Sequence, residues 1–299
     1  MFRRALEKDK QIVSLCQYNV VTAKRGKYLL VPHGPVFDKN NIDLLVDWVD
    51  YLKQEAKKHS VDFIRIAPME QESEDLRQMY AGLGFKKSPI HMFAELTSVV
   101  DLKKSDRNLQ LTMRKTTRQL INKGLKLLDS GEITLTYPTT LQDDMIEVYE
   151  ATSRRGGFVG FNNTFLRKEI ESSLKNNNST IFNIYHDGEL LSWGLVIIVG
   201  VRAYYHQGGN ILNKKIPAPY LLHWLGMKEA KQRGCVSYDF WGVSERGNVD
   251  HPWHTISQFK RGFGGEDFQR MHAQDLPLSL KYYIAWIIER VRSIKRGFG

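Results

Sequence analysis

Three strand-like runs, crowded into the second half of the chain, most constrain how it can fold. Residues 180–186, 189–199 and 202–207 are rich in β-branched and aromatic side chains, and only Asp187-Gly188 and Gly200-Val201 separate them. Two-residue connections of this composition join neighbouring strands through tight turns. A helical pattern from about Pro219 to Arg233 follows, and then a further strand over residues 236–240. This half is therefore an α/β unit.

The first half repeats the theme. Residues 12–21 are β-rich, Lys24-Arg25-Gly26-Lys27 supplies a turn, and residues 28–32 form a second short strand. Leu44, Leu45, Trp48, Val49 and Leu52 then fall on one helical face. A strand over residues 62–66 and a short helix ending at Gly82-Leu-Gly-Phe85 complete the unit. The letters echo as well. Glu55-Ala56-Lys57 precedes Asp62-Phe63, and Glu229-Ala230-Lys231 precedes Asp239-Phe240. From each Asp to the Phe of the next Gly-Phe pair, Phe85 or Phe263, is 23 and 24 residues. Two copies of one α/β unit are expected, divided into residues 1–130 and 131–299.

Between them lies a basic stretch. Lys103, Lys104, Arg107, Arg114, Lys115, Arg118, Lys123 and Lys126 stand against the single acid Asp106, with Ser105 placed to cap a helix. Leu109, Met113, Leu120 and Gly124 form its inward side, and Arg107, Arg114 and Arg118 share another. Such a face could lie along an RNA backbone; a solvated linker helix reads the same way. The whole chain of 299 residues carries 43 Lys and Arg against 33 Asp and Glu, a formal charge of +10. That excess favours an acidic partner such as nucleic acid, anionic lipid or a phosphorylated substrate.

Other classes fall away. Cys16 and Cys235 have no CxxC neighbour and do not make a disulfide scaffold, which points to a reducing cytoplasm. No apolar run approaches a membrane span, and the N-terminus has no signal-peptide core, so the expected location is the cytosol, with a membrane surface as a possible neighbour. HExxH, paired CxxC, GxSxG and a Walker loop are all missing from the sequence. Gly156-Gly157-Phe-Val-Gly160 follows a helix-like run rather than a strand, which fails the context for dinucleotide binding. The glycine-rich, basic Gln258-Phe-Lys-Arg-Gly-Phe-Gly-Gly265 reads as a loop able to present N–H groups to phosphate or to an oxyanion. It does not have the Q/R-x-x-G-x-G/A spacing of the acetyl-CoA pyrophosphate loop.

Six segments, in order, resemble the FemABX family of peptidoglycan peptidyltransferases. They are Val31-Pro-His-Gly-Pro-Val36, Asp62-Phe-Ile-Arg-Ile66, Val99-Val-Asp-Leu102 with Met113-Arg-Lys-Thr-Thr-Arg118, Ala218-Pro-Tyr-Leu-Leu-His223, Tyr238-Asp-Phe-Trp-Gly242 and Phe259-Lys-Arg-Gly-Phe-Gly-Gly265. The resemblance implies an α/β (α+β) fold of two acetyltransferase-like (GNAT) lobes, without a coiled-coil arm. It implies transfer of an amino acid from aminoacyl-tRNA to the stem-peptide amine of a nucleotide- or lipid-linked cell-wall precursor, by a monomer with no cofactor and no metal. Against the family pattern, His33 stands where relatives usually carry Arg. The first lobe also reads as N-terminally truncated, lacking the strand and the Trp- and Lys-bearing helix that in relatives help hold the precursor's phosphates.

The reaction would be attack of an amine on an RNA ester. An ordinary lysine amine must first be kept neutral, which costs about 4.6 kcal/mol at pH 7, and the oxyanion must then be stabilised. The resemblance places the family's functional Phe-Lys pair on Phe259 and Lys260, with Lys260 the cation for the oxyanion or for the terminal RNA phosphate and Arg261 assisting. Tyr238 and Asp239 lie on a strand nearby, where Asp239 could hold an amine, orient a tyrosine or make an ordinary strand-end bond. Tyr204 and Tyr205 are adjacent on a strand, so only one can line an acceptor channel, and Tyr205 is the candidate. Arg154, with Arg155 before a Gly-Gly, is a phosphate candidate. Asp101 is either a precursor contact or a helix-start acid, and Arg114 and Arg118 are the RNA candidates. An acyl-CoA-dependent N-acyltransferase of the same fold and a non-catalytic RNA- or precursor-binding protein are the alternatives. Finally, Leu280, Tyr283, Ile284, Ile287, Ile288, Val291 and Ile294 make an apolar stripe, with Lys281, Arg290, Arg292, Lys295 and Arg296 largely off it. It is expected to dock on the second lobe, or else on an anionic membrane.

Overall fold

The computed structural model describes residues 1–23, 26–38, 40–213 and 215–295. Lys24, Arg25 and Arg296 therefore lie outside the described residues. In chain order the elements are β1 (Phe2–Lys8), β2 (Gln11–Ala23), β3 (Gly26–Pro32), β4 (Val36–Phe37), α1 (Asp43–His59), β5 (Phe63–Ala67), α2 (Glu74–Gly82), β6 (Lys86–Lys87) and β7 (Leu96–Asp101). Next come α3 (Asp106–Thr112), α4 (Lys115–Asp129), β8 (Ile133–Thr136), α5 (Asp143–Gly156), α6 (Asn163–Leu174), β9 (Ser179–His186), β10 (Glu189–Val199) and β11 (Arg202–Asn210). The chain ends with α7 (Ala218–Gln232), β12 (Ser237–Gly242), α8 (His254–Arg261), β13 (Glu266–Gln269), β14 (Gln274–Pro277) and α9 (Lys281–Lys295).

The chain forms two compact units, one of residues 1–96, 247–252 and 268–299, the other of residues 97–246 and 253–267. This corrects the expected division at 130/131. Each unit is completed by a strand from outside its own half. In the first, β3 and β5 pair in parallel, and β14 from the end of the chain pairs antiparallel with β5. In the second, β11 and β12 pair in parallel, and β7 from the first half of the sequence pairs antiparallel with β12. A cut by sequence position cannot find such a division.

In the first unit the sheet runs β1-β2-β3-β5-β14-β6. Leu44, Leu45, Trp48, Val49 and Leu52 of α1 are all buried against it, as their spacing predicts. On the other side Arg65 of β5 has no exposure at all. A guanidinium cannot be buried unpaired. Its Nε and Nη2 donate to the two oxygens of Asp275 at 2.6 and 2.7 Å, and Nη2 also donates to Glu289 at 2.8 Å. Asp275 is on β14 and Glu289 on α9. The carboxylates that neutralise Arg65 thus tie the C-terminal segment to this unit, and α9 does not join the second-lobe segments as expected.

In the second unit the sheet runs β13-β7-β12-β11-β10-β9-β8. The strands expected at residues 180–186, 189–199 and 202–207 are β9, β10 and β11. The helix expected from Pro219 is α7, and its buried face carries Leu221, Leu222, His223, Gly226, Met227 and Ala230. The basic stretch is two helices rather than one, with Met113 extended at ψ 154 between α3 and α4. Ile121 and Gly124 turn inward, and a Cβ on Gly124 would lie 2.9 Å from Leu221, so glycine lets α4 pack closely on α7.

Candidate functional site

The candidate site is built where α8 meets the end of β12. The last residues of β12 depart from regular pairing, with a register shift against β7 between Asp239 and Gly242. Trp241 takes a left-handed backbone, φ 65. Asp239 supports that turn: its Oδ1 accepts the Trp241 N–H at 2.7 Å and its Oδ2 accepts the Thr97 hydroxyl at 3.3 Å. An acid two residues before a turn commonly bonds the backbone in this way. Its carboxylate is buried.

Beyond the turn, α8 is pinned to the same segment. The Ser244 N–H donates to Ser257 Oγ at 2.7 Å, and that hydroxyl donates to the Trp253 carbonyl at 2.6 Å. Arg261 donates to both oxygens of Asp267 at 2.8 and 2.9 Å and to the Ser244 carbonyl at 2.5 Å. Arg261 therefore holds the chain together here, and its guanidinium is occupied. Lys260, one residue before it, donates from Nζ to the Gly242 carbonyl at 2.6 Å. Burial pushes its ammonium down to about 8, partly offset by the Asp239 carboxylate. A lysine in that range is charged at neutral pH yet poised to give up a proton.

The expected glycine-rich loop is shorter than its sequence suggested. Phe259, Lys260 and Arg261 are the last turn of α8. The N–H groups of Gly262, Phe263 and Gly264 donate back to the carbonyls of Gln258, Phe259, Lys260 and Arg261. Those three donors serve the helix end and do not face a ligand. The Lys260 ammonium is the polar group that this segment turns toward the end of β12.

Sequence reasoning missed the centre of the arrangement. His223 of α7 is buried, with its Nδ1 3.2 Å from the Tyr238 hydroxyl. Its ring packs on Tyr205 at 4.5 Å, Phe240 at 4.7 Å, Phe263 at 5.4 Å and Phe259 at 5.5 Å. Burial, reinforced by the Lys260 charge, lowers His223 to about 3, so it is neutral. Burial raises the hydroxyls of Tyr205 and Tyr238. Tyr205 is admitted by two glycines: a Cβ on Gly194 would lie 2.8 Å from its ring, and one on Gly208 2.1 Å from its hydroxyl. Glycines interrupting two strong strands were the signal for this close approach.

Tyr238, Tyr205 and Phe259 thus meet directly on His223, the Lys260 charge acts on its ring, and Asp239 acts in turn on Lys260. The other candidates make contacts of their own, and of these only those of Arg114 reach α8. Asp101, exposed at the far end of β7, accepts the Lys103 N–H at 3.0 Å, as a turn acid does. Arg154 is exposed on α5, 3.8 Å from Glu150. Arg118 donates to the carbonyls of Gln110, Leu111 and Met113, capping α3. Arg114 is exposed and donates to the Gln258 carbonyl at 3.1 Å, at the base of α8. A cleft of about 580 Å³ lined by Tyr137, Thr139, Glu171, Lys175 and Thr180 shares no residue with the cluster.

In the first unit, His91 Nδ1 and His272 Nδ1 both lie 2.8 Å from one Glu95 oxygen, and His272 Nε2 lies 2.8 Å from the Ser88 carbonyl. Burial alone would raise Glu95, but these imidazoles hold it down to about 2. Among the described residues this is the group whose ligand atoms converge as a metal would need. The same atoms already bond one another. Beside it, the His33 ring packs tilted against Phe93 at 4.1 Å, and burial, then the Arg270 charge, lowers it to about 4. No helix of the described residues is long and apolar enough to cross a membrane.

Comparison with known proteins gives a consistent picture. The model of the FemAB family matches residues 162–290. No curated protein matches the sequence. Among solved structures, FemX superposes with a TM-score of 0.83 at 17% identity, over 96% of this chain and 90% of that one. The C-terminal domain of a putative lysylphosphatidylglycerol synthetase from Agrobacterium fabrum gives 0.59 at 12% identity, over 94% and 85%. A tandem GNAT protein from the clavulanic acid pathway gives 0.56 at 11% identity, over 92% and 82%. The fold of two acetyltransferase-like lobes is therefore shared with these proteins.

Proposed function

We take as premise that the chain is a member of the FemABX family, on the FemAB match and the FemX-like fold, and propose that it is an aminoacyltransferase. It moves an amino acid from aminoacyl-tRNA to the stem-peptide amine of a peptidoglycan precursor, in making an interpeptide bridge. In the step itself the acceptor nitrogen attacks the ester carbonyl carbon, forming a C–N bond and an oxyanion. Collapse of that intermediate breaks the bond to the ribose oxygen, which leaves with the proton the amine gives up. Amide and free tRNA are the products, and no covalent enzyme intermediate is needed.

The observation that carries this reading is the Lys260 ammonium, held by the Gly242 carbonyl at the end of β12 and partly stripped of water. Moved from Gly242 onto a developing oxyanion, a desolvated cation acts most strongly in the transition state. Phe259 and Tyr205 give that position an apolar wall, and neutral His223 holds Tyr238 without adding charge. The test is single-turnover transfer from charged tRNA. Lys260→Met keeps much of the stem and removes the charge, so it should lower the rate about 10²–10³-fold. Substrate affinity should change far less. A folded variant with near-normal turnover would remove Lys260 from the chemistry; rescue by saturating tRNA would reassign it to an RNA phosphate.

A further inference from the structure

The C-terminal helix is inside out. The residues α9 buries are Tyr282, Ala285, Glu289 and Ser293. The apolar positions Leu280, Ile284, Ile287, Val291 and Ile294 recur at steps of four and three and are between 47% and 84% exposed. At 3.6 residues per turn that stripe lies opposite the buried face. The cause is Arg65, which requires Glu289, so the helix turns its polar side inward.

Charge is arranged around the stripe. Arg290 runs along one margin and Lys281, Arg292 and Lys295 along the other, all exposed. Glu289 is the only carboxylate of α9, and it is buried on Arg65. An apolar stripe with cations on both borders and no exposed acid has the layout of a helix lying in a membrane interface, where long basic side chains reach the headgroups while the aliphatic face enters the acyl boundary. A second copy of the same face would set four cations against four, which disfavours pairing of like with like.

We propose that the outward face of α9 is a docking surface for an anionic lipid bilayer. The stripe enters the interface and the flanking cations meet lipid phosphates. The stripe shares no residue with the cluster around His223, and its occupancy is read without turnover.

The test is flotation of the full chain with vesicles of phosphatidylcholine alone or mixed with phosphatidylglycerol, over a salt series. Anionic vesicles should capture the protein at least about tenfold more than zwitterionic ones, with binding weakening as salt rises. Ile287→Glu with Val291→Glu changes two exposed residues, so the melting transition should stay in place while flotation is lost. Wild-type protein left unbound at low salt would overturn the proposal. So would capture that the double variant retains, or a lipid-free dimer that the double variant abolishes.

Discussion

At the scale of the residue, the proposed chemistry rests on what burial does to one lysine. Lys260 sits at about 8 instead of the usual range because water is withdrawn from its ammonium and Asp239 restores only part of the loss. If its charge serves the oxyanion, the transfer rate should fall as pH rises through about 8, where that charge disappears. Lys260→Arg, which stays protonated, should move the fall beyond the working range. Unchanged pH profiles in wild type and variant would detach the lysine from the rate. The sign for stability is the opposite. The folded pKa lies below the unfolded one, so the unfolded chain binds the extra proton between about 8 and the free lysine value. Lys260 therefore destabilises the fold below that window, and stability should rise with pH across it relative to Lys260→Met. Lys260, Tyr238 and Asp239 were legible because strand and motif stand together in the sequence. His223 was not, although it ends the segment Ala218–His223, because a histidine on a helix gives no sign of which rings will close around it.

At the scale of the element, amphipathic spacing tells where a stripe is but not which way it faces. The α9 stripe reads from its letters as a face for burial, and a single buried ion pair reverses it. The reversal depends on Arg65, two carboxylates from elements more than two hundred residues away in sequence, and the rings of Tyr28 and Phe63 at 5.5 and 5.1 Å. No local pattern carries such a contact. Arg65→Met would strand two buried carboxylates, and breaking a buried pair from one side costs about 3–5 kcal/mol. Chemical denaturation should show a loss of that size, and a loss under about 1 kcal/mol would mean that the cluster is solvated or dispensable. By contrast α1, β10 and α7 were legible, because their pattern, length and flanking turns agree with one another.

At the scale of the whole molecule, a charge of +10 is the property that a polyanionic substrate would meet first. Arg118 now belongs to the cap of α3, so replacing it would confuse binding with folding. Arg107, Lys115, Lys123 and Lys126 are exposed on α3 and α4 and are the cleaner probes. Replacing these four with Gln should weaken tRNA binding and flatten the dependence of log K on log salt by up to about 3 to 4. A slope that does not move would place the RNA elsewhere. The two-lobed architecture was legible from the echo around Asp62 and Asp239, whereas the boundary was not, since β7 and β14 each complete a sheet from outside their own half. Aminoacyl transfer from RNA is read out by the mass of the product. The protein is incubated with a pool of charged tRNAs, an acyl-CoA pool, and the nucleotide- and lipid-linked precursors. The expected product is a precursor heavier by one amino-acid residue, formed only when charged tRNA is present. Acylation that follows the acyl-CoA, or no adduct at all under conditions where tRNA and precursor both bind, would contradict it.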